Sequence, residues 1–491
     1  MTGRERMHTR ESGSRPLCVG DLREEIVGID TRVPLLDGTE RPYVFLDNAA
    51  STPALKGVLR AVEEFLPWYS GVHRGTGFKS ILATGVFDAA HDQVGAFVGA
   101  DPATNTVVFT KNTTECINKL SNRMGFHPGD AVITTMMEHH SNDLPWRRHA
   151  RVVHIGITAD GHPDLQAMRA AIERGRGYLR LVAVSGASNI TGLCAPIHEI
   201  AAWAHAAGAM IFVDAAQLAP HRPIDMLPDG DPGHIDFLAL SAHKIYAPFG
   251  TGALVGPKGF FEEGDPDLVG GGVVDIVTLE RAVWNHPPHK EEAGSPNVLG
   301  GVALAASLRI LRGVGMDEIA AHEQQLLSYG YLKLRKIPKI VLYGPTDRLE
   351  EKVGVMAFNI EGMHHSLVAA VLGVEGGIGV RDGCFCAHPY VKELLHVGAE
   401  ADRKFTAEVM AGNKSNMPGM VRASLGCYNT TEDIDALVEM LNRVARGEYR
   451  GTYVQDAASG AYHARGYDVD FARYCSLAAP PLPGRLHSEA S

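Results

Sequence analysis

The sequence predicts an α/β protein, with a large domain on a mainly parallel sheet and a smaller α+β domain following it. Three observations predict this. Short apolar runs, "TVVFT", "AVITT", "LRLVAVS", "AMIFVD" and "DFLALS", succeed one another from about residue 106. Helical stretches such as "IHEIAAWAHAAG" separate them. After a helix near 299–312 the alternation stops and a mixed pattern takes over. Runs this apolar suit strands buried on both faces, the condition of a parallel sheet between helix layers.

The elements follow in order. The opening "MTGRERMHTRESGSRPLCVG" lacks an apolar signal core, and Glu5 and Glu11 set it apart from a transit peptide. Residues 1–20 are expected to be a disordered leader. "STPALKGVLRAVEEFL" predicts a helix capped by Ser51 or Thr52, with Pro53 in its first turn. Leu55, Val58, Leu59, Val62, Phe65 and Leu66 form its apolar stripe. A second helix covers "ILATGVFDAAHDQVGAFVG". After the strand-rich part come a long helix at about 316–336, the strand "KVGVMAFNI", a helix at "HSLVAAVL", the strands "GIGVR" and "MVRASLG", and a helix from Glu432. The expected boundaries are a large domain at 45–310 and a small one from 21–44 and 311–447. Residues 448–491 show no clear period and are expected to be a tail.

Composition narrows the function. The net charge is −11, which gives no electrostatic reason to expect nucleic acid. No apolar run approaches the ~18 residues of a membrane helix, so no membrane partner is expected. Seven cysteines, an odd number, are scattered from Cys18 to Cys475. That is no disulfide framework and suggests a reducing cytoplasm.

Each buried strand is followed by polar, reactive residues. After "VVFT" comes "KNTTE", after "VITTMM" comes "EHHSN", and after "LVAVSGAS" come Asn189 and Thr191. After "MIFV" come Asp214 and Gln217, and after "FLAL" comes "SAHK". In open parallel sheets the ligand crevice lies outside the carboxyl ends of the strands, so five such ends point to one site. Lys244 is an amine suited to a Schiff base. Asp214 is a carboxylate at the end of a buried strand, where it needs a cationic partner. Thr113 and Thr114 open a predicted helix, whose free N–H groups bind phosphate. Ser241 and His243 add donors, and His139 a flat ring. An aldehyde, a basic ring nitrogen and a phosphate on one cofactor match this set: pyridoxal phosphate. Taken singly, Lys244 reads as a solvated loop residue, Asp214 as a helix cap, and His139–His140 as metal ligands about as readily as a stacking pair.

The stretch "RDGCFCAHPYV" (381–391) leaves three readings open: a metal site, a redox pair, or one reactive thiol beside an inert one. Zinc and thioredoxin-like sites both favour C-x-x-C, and no second ligand pair stands nearby, so no metal is expected there.

The chain resembles the class V, fold-type-I pyridoxal-phosphate enzymes, most closely the group II (SufS-type) cysteine desulfurases. The resemblance runs from "VFLDNAAST" (44–52) through "GVHRG", "FTKNTTECIN", "MMEHHSNDLPW", "VDAAQLAPHRPIDM", "DFLALSAHKIYAPFGTGAL", "EEAGSPN" and "GIGVRDGCFCAHP" to "RASLGCYNTTEDIDALVEML" (422–441). It implies a seven-stranded sheet, with Lys244 bonding the cofactor aldehyde and Asp214 pairing with the ring nitrogen. Gln217 and Asn189 would sit near the ring oxygen, and His139 would stack on the ring. Thr113, Thr114, Ser241 and His243 would hold the phosphate, and Ser295 would reach that of a partner subunit in a homodimer. Arg422 and Arg381 would grip the substrate carboxylate, with Asn48 and Ala49 beside the substrate. Cys386 would be the nucleophile that takes sulfur from L-cysteine, leaving alanine and passing the sulfur to an acceptor protein. Cys384 stands where better-known members carry His, and the chain beyond about 447 lies outside the usual pattern. Other lyases on this fold, acting on selenocysteine, a cysteine sulfoxide or kynurenine, an epimerase, or a non-catalytic scaffold are the competing readings.

Overall fold

The computed structural model describes residues 17–475. Most of the leader and the last residues of the expected tail lie outside the described residues. Seven strands form the large sheet: β1 (Asn105–Thr110), β2 (Ala131–Thr135), β3 (Arg151–Ile155), β4 (Leu179–Ser185), β5 (Met210–Asp214), β6 (Phe237–Ser241) and β7 (Gly252–Pro257). Their order is β1-β7-β6-β5-β4-β2-β3. All neighbours are parallel except at β7, which runs antiparallel to both β1 and β6. The five apolar runs are buried along nearly their whole length, as a sheet covered on both faces requires. Two strands carry no such run. Edge strand β3 is half exposed, and β7 begins and ends in glycine and proline.

Among the helices that frame the sheets are α1 (Lys56–Phe65), α2 (Phe78–Phe97), α3 (Thr113–Arg123), α4 (Ile197–Ala206), α5 (Val298–Val314), α6 (Met316–Leu334), α7 (His365–Gly376) and α8 (Thr431–Ala445). The start of α1 departs from expectation. It begins after Leu55, with no side-chain cap. The hydroxyls of Ser51 and Thr52 donate instead to the carbonyl of His243, and Thr52 Oγ1 accepts the Tyr246 N–H at 2.7 Å. These hydroxyls thus tie this segment to the turn that carries Lys244. Of the expected stripe, Val58, Val62 and Phe65 are buried, whereas Leu66 is exposed.

A four-stranded antiparallel sheet forms the second layer, with β8 (Ile340–Tyr343), β9 (Val355–Ile360), β10 (Arg381–Gly383) and β11 (Met420–Ser424) in the order β8-β9-β11-β10. The segment "GIGVR" divides. Ile378–Gly379 pairs in parallel with Val44–Phe45, and Arg381 moves into β10. Residues 21–44, expected with the smaller unit, also divide. Leu22 and Ile26 pack in the larger core, and Val44 in the smaller. Helices α5 and α6 meet at 76° across Gly315, whose φ is +104°. No single described helix is long and apolar enough to cross a membrane. Beyond residue 447 the chain forms a short hairpin, Tyr453–Gln455 with Tyr462–Ala464.

One glycine fixes how β7 meets α3. A Cβ on Gly252 would lie 2.6 Å from both the Cα and C atoms of Asn112, the N-cap of α3. Backbone cannot yield to such a contact as a side chain can. Gly252→Ala should therefore destabilise the protein by about 1–3 kcal/mol, read as a lower urea midpoint with an unchanged slope.

Candidate functional site

The carboxyl ends of the five expected strands surround a cavity of about 330 Å³. Thr113 and Thr114 enter it from the start of α3, where Asn112 accepts the Glu115 N–H at 3.0 Å. His139 follows β2, Ser185 ends β4 with Asn189 beyond it, and Asp214 ends β5 with Gln217 beyond it. Ser241 ends β6, and a single tight turn, Ala242–Lys244, presents His243 and Lys244. Ala49–Ser51 form one wall, and Arg381, Phe385, Cys386 and Arg422 come from the smaller sheet and its loop.

The floor of the cavity is electrostatically incomplete. Asp214 is buried and makes no ion pair among the described residues; its one side-chain bond is from the Ala216 N–H at 2.9 Å. Burial pushes its carboxyl up, opposed by that bond and by Lys244. Burial lowers Lys244 to about 8, although Asp214 pulls the other way. His139 is held at about 4, first by burial and then by the proximity of Lys244, His140 and Arg422. Its Nδ1 accepts the Ser141 N–H at 3.1 Å, so the neutral ring carries its proton on Nε2. His243 is likewise lowered to about 4 by burial and Lys244. Gln217 donates to the Ala49 carbonyl at 2.6 Å, while its Oε1 is buried without a partner. Thr113 N–H and Oγ1 both lie 2.8 Å from Ser241 Oγ, and Thr114 Oγ1 lies 2.7 Å from Ser141 Oγ.

This donor set fits pyridoxal phosphate. A carboxylate buried without a counter-ion suits a protonated ring nitrogen. A depressed amine suits an aldehyde, a neutral flat ring a stacked pyridine, and hydroxyls at a helix start a phosphate.

Above the floor lies a guanidinium pair. The β10–β11 register sets Arg381 opposite Arg422. Asp47 joins them, accepting from Arg422 Nη2 and from Arg381 Nε, each at 2.9 Å. Arg422 is 2% exposed, donates to the Asn189 carbonyl at 2.9 Å, and has a buried Nε–H without a partner. Its guanidinium lies 4.9 Å from the Phe385 ring centroid. Phe385 and Cys386 both adopt left-handed backbone, at φ +48° and +56°. Such residues cost of order 1–3 kcal/mol each and persist only where their surroundings enforce them. Two hydrogen bonds do so here: Asn189 Nδ2 donates to the Phe385 carbonyl at 2.8 Å, and the His140 N–H to the Cys386 carbonyl at 2.7 Å. Cys386 is exposed at the cavity rim. Cys384 is buried, its thiol donates to the Pro418 carbonyl at 3.0 Å, and burial raises it to about 11.

The family model described as Aminotransferase class-V matches residues 44–437. The chain belongs to the class-V aminotransferase family. It is 35% identical over 449 residues to a cysteine desulfurase of Haloferax volcanii, covering 88% of this chain and 98% of that one. A probable cysteine desulfurase of Halobacterium salinarum is 36% identical over 404 residues, 80% of this chain and 90% of its own. Among solved structures, the apo cysteine desulfurase of Thermococcus onnurineus superposes with a TM-score of 0.74 at 31% identity, covering 87% and 98% of the two chains. The cysteine desulfurase CsdA of Escherichia coli, in its S-sulfonic acid form, gives 0.72 at 30%, covering 88% and 100%.

Within this class-V site the structure gathers most of the expected residues but not all. Ser295 lies in a separate cavity of about 780 Å³, beside Tyr69, His73 and Arg74. Asn48 does not line the site. Its amide donates to the Ser424 carbonyl at 2.9 Å and to Asn429 Oδ1 at 3.2 Å, and its oxygen accepts the Tyr428 hydroxyl. Asn189 reaches the cavity, but its amide is committed to the cysteine loop. Asp47 and Glu138 were given no role by the sequence reading. The signal for Glu138 was present: it is an acid following a strand buried throughout. Its carboxylate accepts from Thr135 Oγ1, Asn142 Nδ2 and Ser185 Oγ at 2.6–2.7 Å, binding the His139 turn to the residue paired with Asp214.

Burial raises Glu138 to about 7, against an ordinary 4.5. Its folded-state affinity for a proton exceeds that of the unfolded chain. Its contribution to stability is therefore complete below about pH 4.5 and lost as the pH rises through 7. Glu138→Gln removes that loss. The unfolding free energy of the variant relative to the parent should rise by on the order of 3 kcal/mol between pH 4.5 and 8, as measured by denaturant titration across that range.

Proposed function

We propose that this chain is a pyridoxal-phosphate-dependent cysteine desulfurase that converts L-cysteine to L-alanine and retains the sulfur on Cys386. The observation that carries the reading is the placement of an exposed cysteine at the rim of a cavity whose floor holds Lys244 and Asp214 and whose wall holds Arg422. The cofactor would rest with Asp214 at its ring nitrogen, Lys244 at its aldehyde, His139 on its face, Gln217 at its ring oxygen, and Thr113, Thr114, Ser241 and His243 around its phosphate. Bound there, it supplies an electron sink for bond changes at the substrate α-carbon.

The chain's own groups do the rest. Arg422 and Arg381 present N–H donors to the substrate carboxylate, which sets the side-chain sulfur toward Cys386. Lys244, near 8, is partly neutral at physiological pH and is the base positioned to take the α-proton at Nζ. The Cys386 thiolate attacks the substrate sulfur. A sulfur–sulfur bond forms, the substrate carbon–sulfur bond breaks, and with a proton restored to each carbon the products are alanine and an enzyme persulfide. An exposed persulfide suits transfer to an acceptor protein.

A homodimer is part of the proposal. Ser295 stands apart from this chain's cavity, in a second one that Tyr69 also lines, and Trp68, Tyr69, Phe78 and Ile81 are exposed large apolar side chains. The six cysteines from Cys116 to Cys475 form no disulfide, which supports a cytoplasmic setting.

One experiment tests the assignment and separates it from the other lyase readings. Alanine released per cysteine consumed is measured for the parent, Cys386→Ala and Cys384→Ala, with mass spectrometry of the loop peptide. Cys386→Ala should keep its yellow colour and lose persulfide and alanine formation, while Cys384→Ala should keep most activity. Borohydride reduction should fix the cofactor on Lys244. Sulfur found on Cys384, normal desulfuration by Cys386→Ala, or label on another lysine would refute the reading.

A further inference from the structure

Strands β10 and β11 set two arginines directly opposite each other, Arg381 against Arg422. Like charges so placed repel one another. Arg422 is also buried, where a cation without a partner is costly. One carboxylate answers both needs. Asp47 lies alongside Ser424 in a parallel bridge, and the Ser424 N–H donates to the Leu46 carbonyl at 2.7 Å, so the backbone fixes Asp47 next to β11. Its Oδ1 accepts from Arg422 Nη2 and its Oδ2 from Arg381 Nε.

Two guanidiniums and one carboxylate leave one positive charge uncompensated. Among the described residues neither arginine has another acidic partner. Asp382, the neighbour of Arg381, is taken by His365 Nδ1 at 2.8 Å. The excess charge faces the cavity, since Arg381 and Arg422 line it and Asp47 does not. Donors remain to deliver it. Arg422 keeps a buried Nε–H without a partner, and the Arg381 side chain has only its Nε engaged. A single carboxylate entering there brings the subsite to neutrality. A second carboxylate on the same ligand finds no matching charge. Lys244 already interacts with Asp214, and His139 and His243 are neutral.

We propose that Asp47 determines specificity by charge. It cancels one of the two guanidinium charges and sets the anion subsite at a single positive charge, which selects amino acids with one carboxylate and an uncharged side chain over dicarboxylic ones. The inference rests on the carboxylate-binding role given to the arginine pair in the proposed function. It does not depend on the sulfur chemistry at Cys386.

The test follows binding of L-alanine and of L-aspartate to the cofactor-loaded protein, through the change each makes in the absorption of the bound cofactor. The quantity read is the ratio of dissociation constants, aspartate over alanine, at pH 7.5 and one fixed ionic strength. Asp47→Asn brings the subsite to two positive charges and should lower the ratio roughly tenfold. Arg381→Gln brings it to zero and should raise the ratio by a similar factor. The double variant, with both substitutions, returns to one charge and should return to the parent's ratio, even though each change weakens the grip on a carboxylate. A purely structural role for Asp47 would weaken both amino acids alike. An unchanged ratio in Asp47→Asn, or a double variant whose ratio stays displaced, overturns the proposal. Arg381 is half exposed, so its variant is expected to fold even where Asp47→Asn does not, and an unchanged ratio in Arg381→Gln overturns the proposal equally. The desulfurase reading stands or falls on a different measurement, alanine release from cysteine, which these ratios do not use.

Discussion

A carboxylate buried at the end of a strand, with no counter-ion, is the constraint around which this molecule is organised. Asp214 receives one backbone N–H and nothing charged in contact. Leaving an ionised group so placed is unfavourable by several kcal/mol in an apolar interior. The fold tolerates it because the cavity above is lined by groups with matching needs. Lys244 has been brought down toward neutrality, His139 and His243 are kept uncharged, and Gln217 holds a bare acceptor inward. Each is a liability alone. Together they describe the outline of a molecule with a cationic ring edge, an electrophilic carbon and an anionic tail.

The second layer of organisation couples the two sheets. Arg422 sits on the smaller sheet, yet it donates to Asn189, which follows a strand of the larger one, and to Asp47 in the segment leading to α1. Asn189 and His140 fasten the cysteine loop at two successive carbonyls. The guanidinium pair and the Cys386 loop are therefore set by residues that follow β2 and β4. A displacement of the small sheet moves both at once, which is how a site assembled from distant segments stays in register.

The sequence carried the fold at those places where burial imposes a pattern. The five predominantly apolar strands were legible because a sheet covered on both faces admits little else. Edge strand β3 was not, since "RVVHI" has solvent on it, and neither was β7, with its glycine and proline ends. The start of α1 was misplaced because Ser51 and Thr52 look like caps; their hydroxyls are taken by the His243 turn, 190-odd positions away, which no local pattern reveals. In the site, Lys244, Asp214, His139 and Cys386 were legible as strand-end residues and through the family likeness. Asn48 was assigned to the substrate, but its amide serves a buried network with Ser424 and Asn429. Asp47 went unread because its partner Arg422 stands 375 positions along the chain.

The two left-handed residues at 385 and 386 have a consequence for the fate of sulfur. A persulfide is vulnerable to any nearby thiol, which would close a disulfide and expel the outer sulfur as hydrogen sulfide. This chain carries such a thiol two residues away. The backbone reversal sends Cys386 outward while Cys384 remains enclosed, bonded to a carbonyl and far too weak an acid to ionise. Under the function proposed above, the loop would act as a partition between the sulfur on Cys386 and the Cys384 thiol, with Cys386 facing solvent and Cys384 enclosed.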